Sequence, residues 1–323
     1  MVKEKILVTG GAGFVGSHLV EELVCSSYSV TVLDDLSNGS RDNLRSVIDR
    51  IKFKLADISR KDWISKIPRA HVVFHLACHP RSFSFANPQK DVSVNLIGSV
   101  NVLEYARKHD ARIVFSSNSG IYGPCVLAKE NDAASCLTPY DVDKYSTELM
   151  LGAYNKQYGI KSIIFRFATI YGPRQRVNEK YGWRPVVATF ATRLLRSRPV
   201  TIFGDGHQTR DLVYVKDVSD ALLRSIRYKG DFDIFNLSTG RETKVIDVFR
   251  MVSRFVGVKA SPRHGPPLPG DIRRMSYSNE KIRRKLGWRP RTSVEEGIRL
   301  TVDAMRKEAA RVRKWVQDSG ALS

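Results

Sequence analysis

The chain has 323 residues, 42% of them hydrophobic, which fits a soluble globular protein with a large core in one big domain or two unequal ones. Its 53 Lys and Arg against 33 Asp and Glu give a net charge of +20, which raises nucleic acid as a partner, yet no RNA-binding or zinc-finger pattern accompanies it. The basic residues are spread along the chain, with concentrations at Arg273-Arg274, Lys281 to Lys285 and Arg306 to Lys314. They read as a solvated surface that favours a doubly anionic small molecule, with no nucleic acid as partner. Neither a signal-peptide core nor a membrane-spanning apolar run is present, so a cytoplasmic protein with no membrane partner is expected. The four cysteines, Cys25, Cys78, Cys125 and Cys136, form no C-x-x-C pair and no zinc spacing with the seven histidines, so free thiols and no metal are expected.

In chain order, Ile6 to His18 runs from a short apolar segment through a glycine-rich turn into an amphipathic helix. Gly10 lets the chain reverse, Gly13 lets backbone N–H groups approach a pyrophosphate, and Gly16 lets the helix pack on the sheet. Phe14 and Val15 belong to the same turn, and the helix they open presents its N-terminal partial charge to the phosphates. A second apolar strand, Ser29 to Leu33, ends in Asp34-Asp35 at about the twenty-residue spacing of the acid that takes the adenosine ribose. A carboxylate at Asp34 repels a 2′-phosphate, which favours NAD over NADP. The loop that follows, from Leu36 to Arg41, carries Asn38 into the same cofactor set.

Strand Ile51 to Asp57 alternates and ends on an acid, Val72 to Ala77 is the fourth strand, and a helix runs from near Pro88 through Asn95 to Lys108. Strand Arg112 to Ser117, helix Tyr140 to Tyr158 and strand Lys161 to Phe167 complete an α/β alternation that predicts a Rossmann-type, doubly wound parallel sheet. The remainder is mixed: Pro and Gly punctuate 171–174 and 261–270, short strands appear at Pro199 to Phe203 and Ile234 to Leu237, and helices at Val245 to Val256 and Ser293 to Lys314. This divides the chain into an NAD-binding domain over 1–172, to which 211–238 returns, and a smaller mixed α/β substrate domain over 173–210 and 239–323.

The catalytic candidates are Tyr140 and Lys144, four apart on one helix face. Tyr277 and Lys281 share that spacing, so position separates them: Tyr140 follows the strand whose carboxyl end opens into the ligand crevice of an open α/β sheet. A phenol with a reference pKa near ~10 is a poor base, but a nearby ammonium and an oxidised nicotinamide stabilise its phenolate. Tyr140 can then take a proton from a sugar hydroxyl while the carbon beneath is oxidised, with Lys144 tuning the tyrosine and binding ribose hydroxyls.

Thr9 to Gly16, Asp34, Asp57, His75-Leu-Ala77, Asn95, Phe115 to Gly123, Pro139 to Lys144, Tyr171 to Arg174, Gly204 to Asp211 and Leu286 to Pro290 together resemble the extended short-chain dehydrogenase/reductase family over nearly the whole chain. The nucleotide-sugar epimerases and dehydratases are nearest, the UDP-glucose 4-epimerases above all. The resemblance implies NAD as cofactor, a UDP-sugar as substrate and isomerase activity. It places Asp57 and Ile58 at the adenine and extends the cofactor site to Leu76, Ala77, Asn95 and Ser116, with Lys144 on the nicotinamide ribose. It places Arg210 on the nucleotide diphosphate and Asp271 on the uridine ribose, and it implies a homodimer paired through helices Asn95 to Lys108 and Tyr140 to Tyr158.

The chain also departs from the pattern. Where the family has a serine or threonine that holds the reacting hydroxyl, this chain has Asn118, which cannot relay a proton. Ser117 and Ser119 are the candidate substitutes, subject to strand alternation. An asparagine on the diphosphate is Thr169 here, and an arginine three before Asp271 is Leu268. Sugar dehydratases carry an acid just after the position of Asn118, and its absence leaves 4-epimerisation as the simplest outcome. Met275 occupies the position that helps set access for bulky 2-acetamido groups. The rival readings are another NAD-dependent sugar enzyme (dehydratase, decarboxylase or reductase) and an NAD-binding protein that has lost catalysis at Asn118.

Overall fold

A computed structural model describes residues 4–177, 185–268 and 271–319; Pro269 and Gly270, which precede Asp271 in the segment expected at the uridine ribose, lie outside them. Seven parallel strands form the central sheet: β1 (Lys5–Thr9), β2 (Ser29–Asp34), β3 (Lys52–Leu55), β4 (Val72–His75), β5 (Arg112–Asn118), β6 (Ser162–Phe167) and β7 (Phe232–Leu237). Their spatial order is β7-β6-β5-β4-β1-β2-β3, so the chain changes direction of travel between β1 and β4. That reversal opens a crevice beyond the carboxyl ends of the two strands.

Apart from the edge strand β3, which alternates and is largely exposed, the strands that build the core are covered on both faces, which is why β1, β4, β5 and β6 read as near-continuous apolar runs. Ile6, Val8, Val72, Phe74 and Val114 face helices α1 (Phe14–Cys25) and Val215–Ser225, while Leu7, Val73, Ile113, Phe115 and Ile164 face α2 (Gly98–His109) and α3 (Pro139–Tyr158). A third cluster, Val187, Phe190, Leu194, Val248, Phe249, Val252, Ile298 and Val302, joins helices Val186–Leu195, Val245–Val256 and Val294–Ser319 beside the crevice. Helices Val186–Leu195, Val215–Ser225 and Glu280–Leu286 have no counterpart in the sequence reading. The single helix expected from Pro88 is also interrupted: a widened turn of the π type spans Val92–Ile97 and turns Asn95 inward.

Two histidines are buried in the neutral form. His75 bridges Thr9 Oγ1 at 2.8 Å and Ser99 Oγ at 2.9 Å, and burial pulls its pKa down to about 3. His18 meets the Pro173 carbonyl at 3.1 Å, and burial, helped by the charge of Arg174, pulls it down to about 4. Unfolded histidine takes up its proton near ~6.5, so below that pH the unfolded chain binds more protons than the folded one. The stabilisation is complete above pH ~6.5 and falls as pH drops, by up to about 1.4 kcal/mol per pH unit for each histidine. Thermal unfolding followed from pH 7 to 4.5 is expected to show this decline, and His75→Gln is expected to flatten it. Identical slopes in the two proteins would refute the assignment.

Candidate functional site

The crevice is a cleft of about 380 Å³ at the carboxyl ends of the strands. Gly10, Gly13, Phe14, Val15 and Gly16 line one end. Gly10 has φ +70°, and a Cβ there would lie 2.6 Å from the Ala77 backbone nitrogen. A Cβ on Gly16 would lie 2.1 Å from the Gly10 carbonyl oxygen, so the turn closes only with both side chains absent. Helix α1 starts at Gly13 with no side chain capping it, which leaves its first N–H groups for an anion.

Asp34, Asp35, Asn38, Asp57, Ile58, Leu76, Ala77 and Ser116 line the same cleft. Asp34 is buried at the end of β2 and accepts the N–H groups of Ala12 at 2.9 Å and Leu36 at 2.8 Å. Burial pushes its carboxyl up and the two N–H groups pull it back, leaving lone pairs on both oxygens for ribose hydroxyls. Glycines that no Cβ can replace, an uncapped helix end and a buried acid at the neighbouring strand end fit a dinucleotide. Asn95 stands apart from this set: buried behind the cleft, it accepts the His79 N–H at 2.8 Å and donates to Asp91 at 2.7 Å, so it shapes the loop after β4 instead of lining the cavity.

Tyr140 lies on the cleft wall in the first turn of α3, whose N-terminus is capped by Thr138 and braced by the Tyr140 N–H on Ser84 Oγ at 2.9 Å. The Lys144 ammonium is buried behind it, 5.6 Å from the Tyr140 ring centre and 4.7 Å from that of Phe115, and donates to the Ser116 carbonyl at 2.8 Å. Burial, then the Cys78 thiol and the Asp141 carboxylate, hold the Tyr140 phenol well above its ordinary range. Burial lowers Lys144 against the pull of the surrounding acids. Tyr277, at the same spacing from a lysine, is sealed in the core with its hydroxyl toward Met275 Sδ at 3.7 Å.

Asn118 and Ser117 share the wall with Tyr140. The Ser117 hydroxyl donates to Glu148, part of a buried pair in which Arg166 Nη2 lies 2.6 Å from Glu148. Ser119, which does not line the cleft, donates its Oγ to the Phe167 carbonyl at 2.7 Å. Neither serine hydroxyl is therefore free to take the place of Asn118.

Thr169 lines the cleft, while Arg210, Asp271 and Met275 lie outside its lining. Arg210 Nη2 donates to Asp271 Oδ1 at 2.5 Å and Nη1 to the Ile272 carbonyl at 2.9 Å, so the two expected substrate contacts meet each other across the loop. Met275 is buried against Tyr277. Sequence reasoning missed Cys78 and Arg81 on the cleft wall and Asp141 just behind it; the loop after β4 carries no periodic signal that would have found the first two. Among the described residues no group of three or more His, Cys, Asp or Glu could hold a metal ion, and no helix is long and apolar enough to cross a membrane.

The family model described as NAD dependent epimerase/dehydratase family matches residues 6–238. A UDP-glucose 4-epimerase of Mycolicibacterium smegmatis is 37% identical over 94% of this chain and 99% of its own, and UDP-glucuronic acid decarboxylase 1 of Xenopus tropicalis is 30% identical over 95% and 73%. The crystal structure of UDP-glucose 4-epimerase with UDP-glucose from Thermotoga maritima superposes with a TM-score of 0.89 at 38% identity, covering 94% of this chain and 99% of that one.

Proposed function

Because the chain belongs to the NAD-dependent epimerase/dehydratase family of extended short-chain dehydrogenases/reductases, we propose that it is a nucleotide-sugar 4-epimerase acting on UDP-glucose, UDP-galactose or a related UDP-hexose. The observation that carries this reading is the cleft wall: Tyr140 and Asn118 line the same cleft, the Lys144 ammonium lies behind the Tyr140 ring, and Asp141, which holds the Asn118 amide, has both carboxylate oxygens engaged. A dehydratase needs an acid free to act on the carbon beside the ketone, and among the described residues none stands beside Tyr140 and Asn118 with a free carboxylate. NAD, when bound, supplies the hydride acceptor and a positive ring that favours the phenolate. Tyr140 takes the proton from the C4 hydroxyl and returns it after the sugar has turned, while Lys144 holds positive charge at its ring. Gly10, Gly13 and Gly16 with the α1 N-terminus hold the pyrophosphate, and Asp34 the adenosine ribose.

In this reading residues 173–210 and 239–323 form the nucleotide-sugar side, where a UDP diphosphate parts the Arg210–Asp271 pair and takes the guanidinium. The protein is cytoplasmic and a homodimer. The dimer face is α3 with the turn before α2, which expose Val142 (49%), Leu149 (60%), Tyr158 (52%) and Ile97 (48%). Sedimentation at micromolar concentration is expected to give twice the chain mass, and a monomer would refute that face.

The test of the reading is incubation of the purified protein with UDP-glucose, UDP-N-acetylglucosamine and UDP-glucuronate, without added cofactor, followed by separation of the products. C4 epimers are expected. A 4-keto-6-deoxy sugar or a UDP-pentose would instead assign a dehydratase or a decarboxylase.

A further inference from the structure

Asn118 and Asp141 are joined by contacts that the mechanism above does not use. Asn118 Oδ1 accepts the Gly120 N–H at 2.9 Å, and its Nδ2 donates to Asp141 Oδ1. Asp141 is fully buried, and its other oxygen accepts Arg81 Nη2 at 3.3 Å. Gly120 completes the fit: a Cβ there would fall 2.7 Å from both Asn118 Nδ2 and Asp141 Oδ1. A side chain at position 120 would therefore crowd the Asn118–Asp141 contact directly.

We propose that Asp141 is a positioning residue for the reaction, locking the Asn118 side chain so that its second amide hydrogen points at the reacting sugar oxygen. This rests on the epimerase reading above. The direction of the amide follows from its two partners. A carboxylate accepts and a backbone N–H donates, so the NH₂ must face Asp141 and the carbonyl must face Gly120. The reversed amide would set oxygen against oxygen and hydrogen against hydrogen. One N–H of the NH₂ is spent on Asp141, and the other remains for the cleft that Asn118 lines.

A donor fixed there serves both states of the sugar, because an alcohol oxygen and a carbonyl oxygen both accept. It does not carry a proton, so Tyr140 alone does that work. A hydroxyl in the same place would need no anchor, since it rotates to donate or accept as required. An amide without an anchor turns about its terminal torsion and presents either oxygen or nitrogen. Asp141 removes that freedom. It is no rival base, because it lies behind the wall and both its oxygens are engaged.

The test is a double-mutant cycle. In the natural background, Asp141→Ala is expected to lower kcat about tenfold, with KM for the UDP-sugar and NAD content little changed. In an Asn118→Ser background the same Asp141→Ala change is expected to alter kcat less than about twofold. Equal losses in the two backgrounds, or no loss in the first, would overturn the proposal in favour of a structural Arg81–Asp141 pair. Thermal unfolding of all four proteins shows that the comparison is made between folded chains. An arm independent of turnover uses protein labelled with ¹⁵N in asparagine side chains. The Asn118 amide signal, identified by its loss in Asn118→Ser, is expected far downfield and is expected to move upfield in Asp141→Ala. An unshifted signal overturns the proposal whatever the activity, whereas a shifted signal in a chain that epimerises no UDP-sugar rejects the epimerase reading alone.

Discussion

Tyr140→Phe is expected to lower kcat by about a thousandfold while leaving bound NAD and thermal stability almost unchanged. The ring stays on the cleft wall, and only the hydroxyl proposed to exchange the proton is removed. The fold tolerates this because the brace on that turn is the Tyr140 backbone N–H on Ser84, not the phenol. The magnitude follows from the surroundings. Ser117 and Ser119 have their hydroxyls committed elsewhere, and an amide at Asn118 cannot accept and pass on a proton. Turnover, acid-released cofactor and a melting curve on one preparation check all three parts. A loss of less than tenfold would transfer the proton to another group, the Cys78 thiol beside the phenol being the first to test.

Gly16→Ala is expected to yield a protein that purifies without cofactor and is less stable by about 3 kcal/mol. The new Cβ would sit 2.1 Å from the Gly10 carbonyl oxygen and 2.8 Å from the Gly11 Cα, both backbone atoms of the turn proposed to cradle the pyrophosphate. Neither can swing aside as a side chain would, so the helix must lift from the turn and carry its free N–H groups away from the phosphates. Denaturant unfolding and cofactor content measure the two effects separately. A variant that retains NAD at wild-type stoichiometry would show that α1 does not hold the pyrophosphate.

The sequence announces most of the sheet and the cofactor end of the cleft. Strands such as Ile6 to Val8 and Val72 to Phe74 are buried on both faces, and runs of that kind are visible in one dimension. The spacing from Gly10 to Asp34 is short and passes through one helix, so it survives as a motif. The polar pairings do not. Arg210 meets Asp271 across 61 positions and Arg81 meets Asp141 across 60, and nothing periodic links such partners. The resemblance places Asn95 in the cofactor set, whereas in the fold it lies in the widened turn at 92–97 and bonds His79 and Asp91. The helix at Val186–Leu195 is apolar nearly all round, with six of its ten residues buried against Val245–Val256 and Val294–Ser319, so it shows little of the two-faced periodicity that marks a helix in sequence.

On the proposed reading, this cleft oxidises a sugar at C4 and restores hydrogen to the same carbon on its opposite face, with Tyr140 handling the proton. The direct measurement uses UDP-glucose carrying deuterium at C4 in ordinary water. Mass and proton spectra of the UDP-galactose formed are expected to show the label retained at C4. Deuterium washed out into solvent, or epimer formed at an undiminished rate by Tyr140→Phe, would contradict the account.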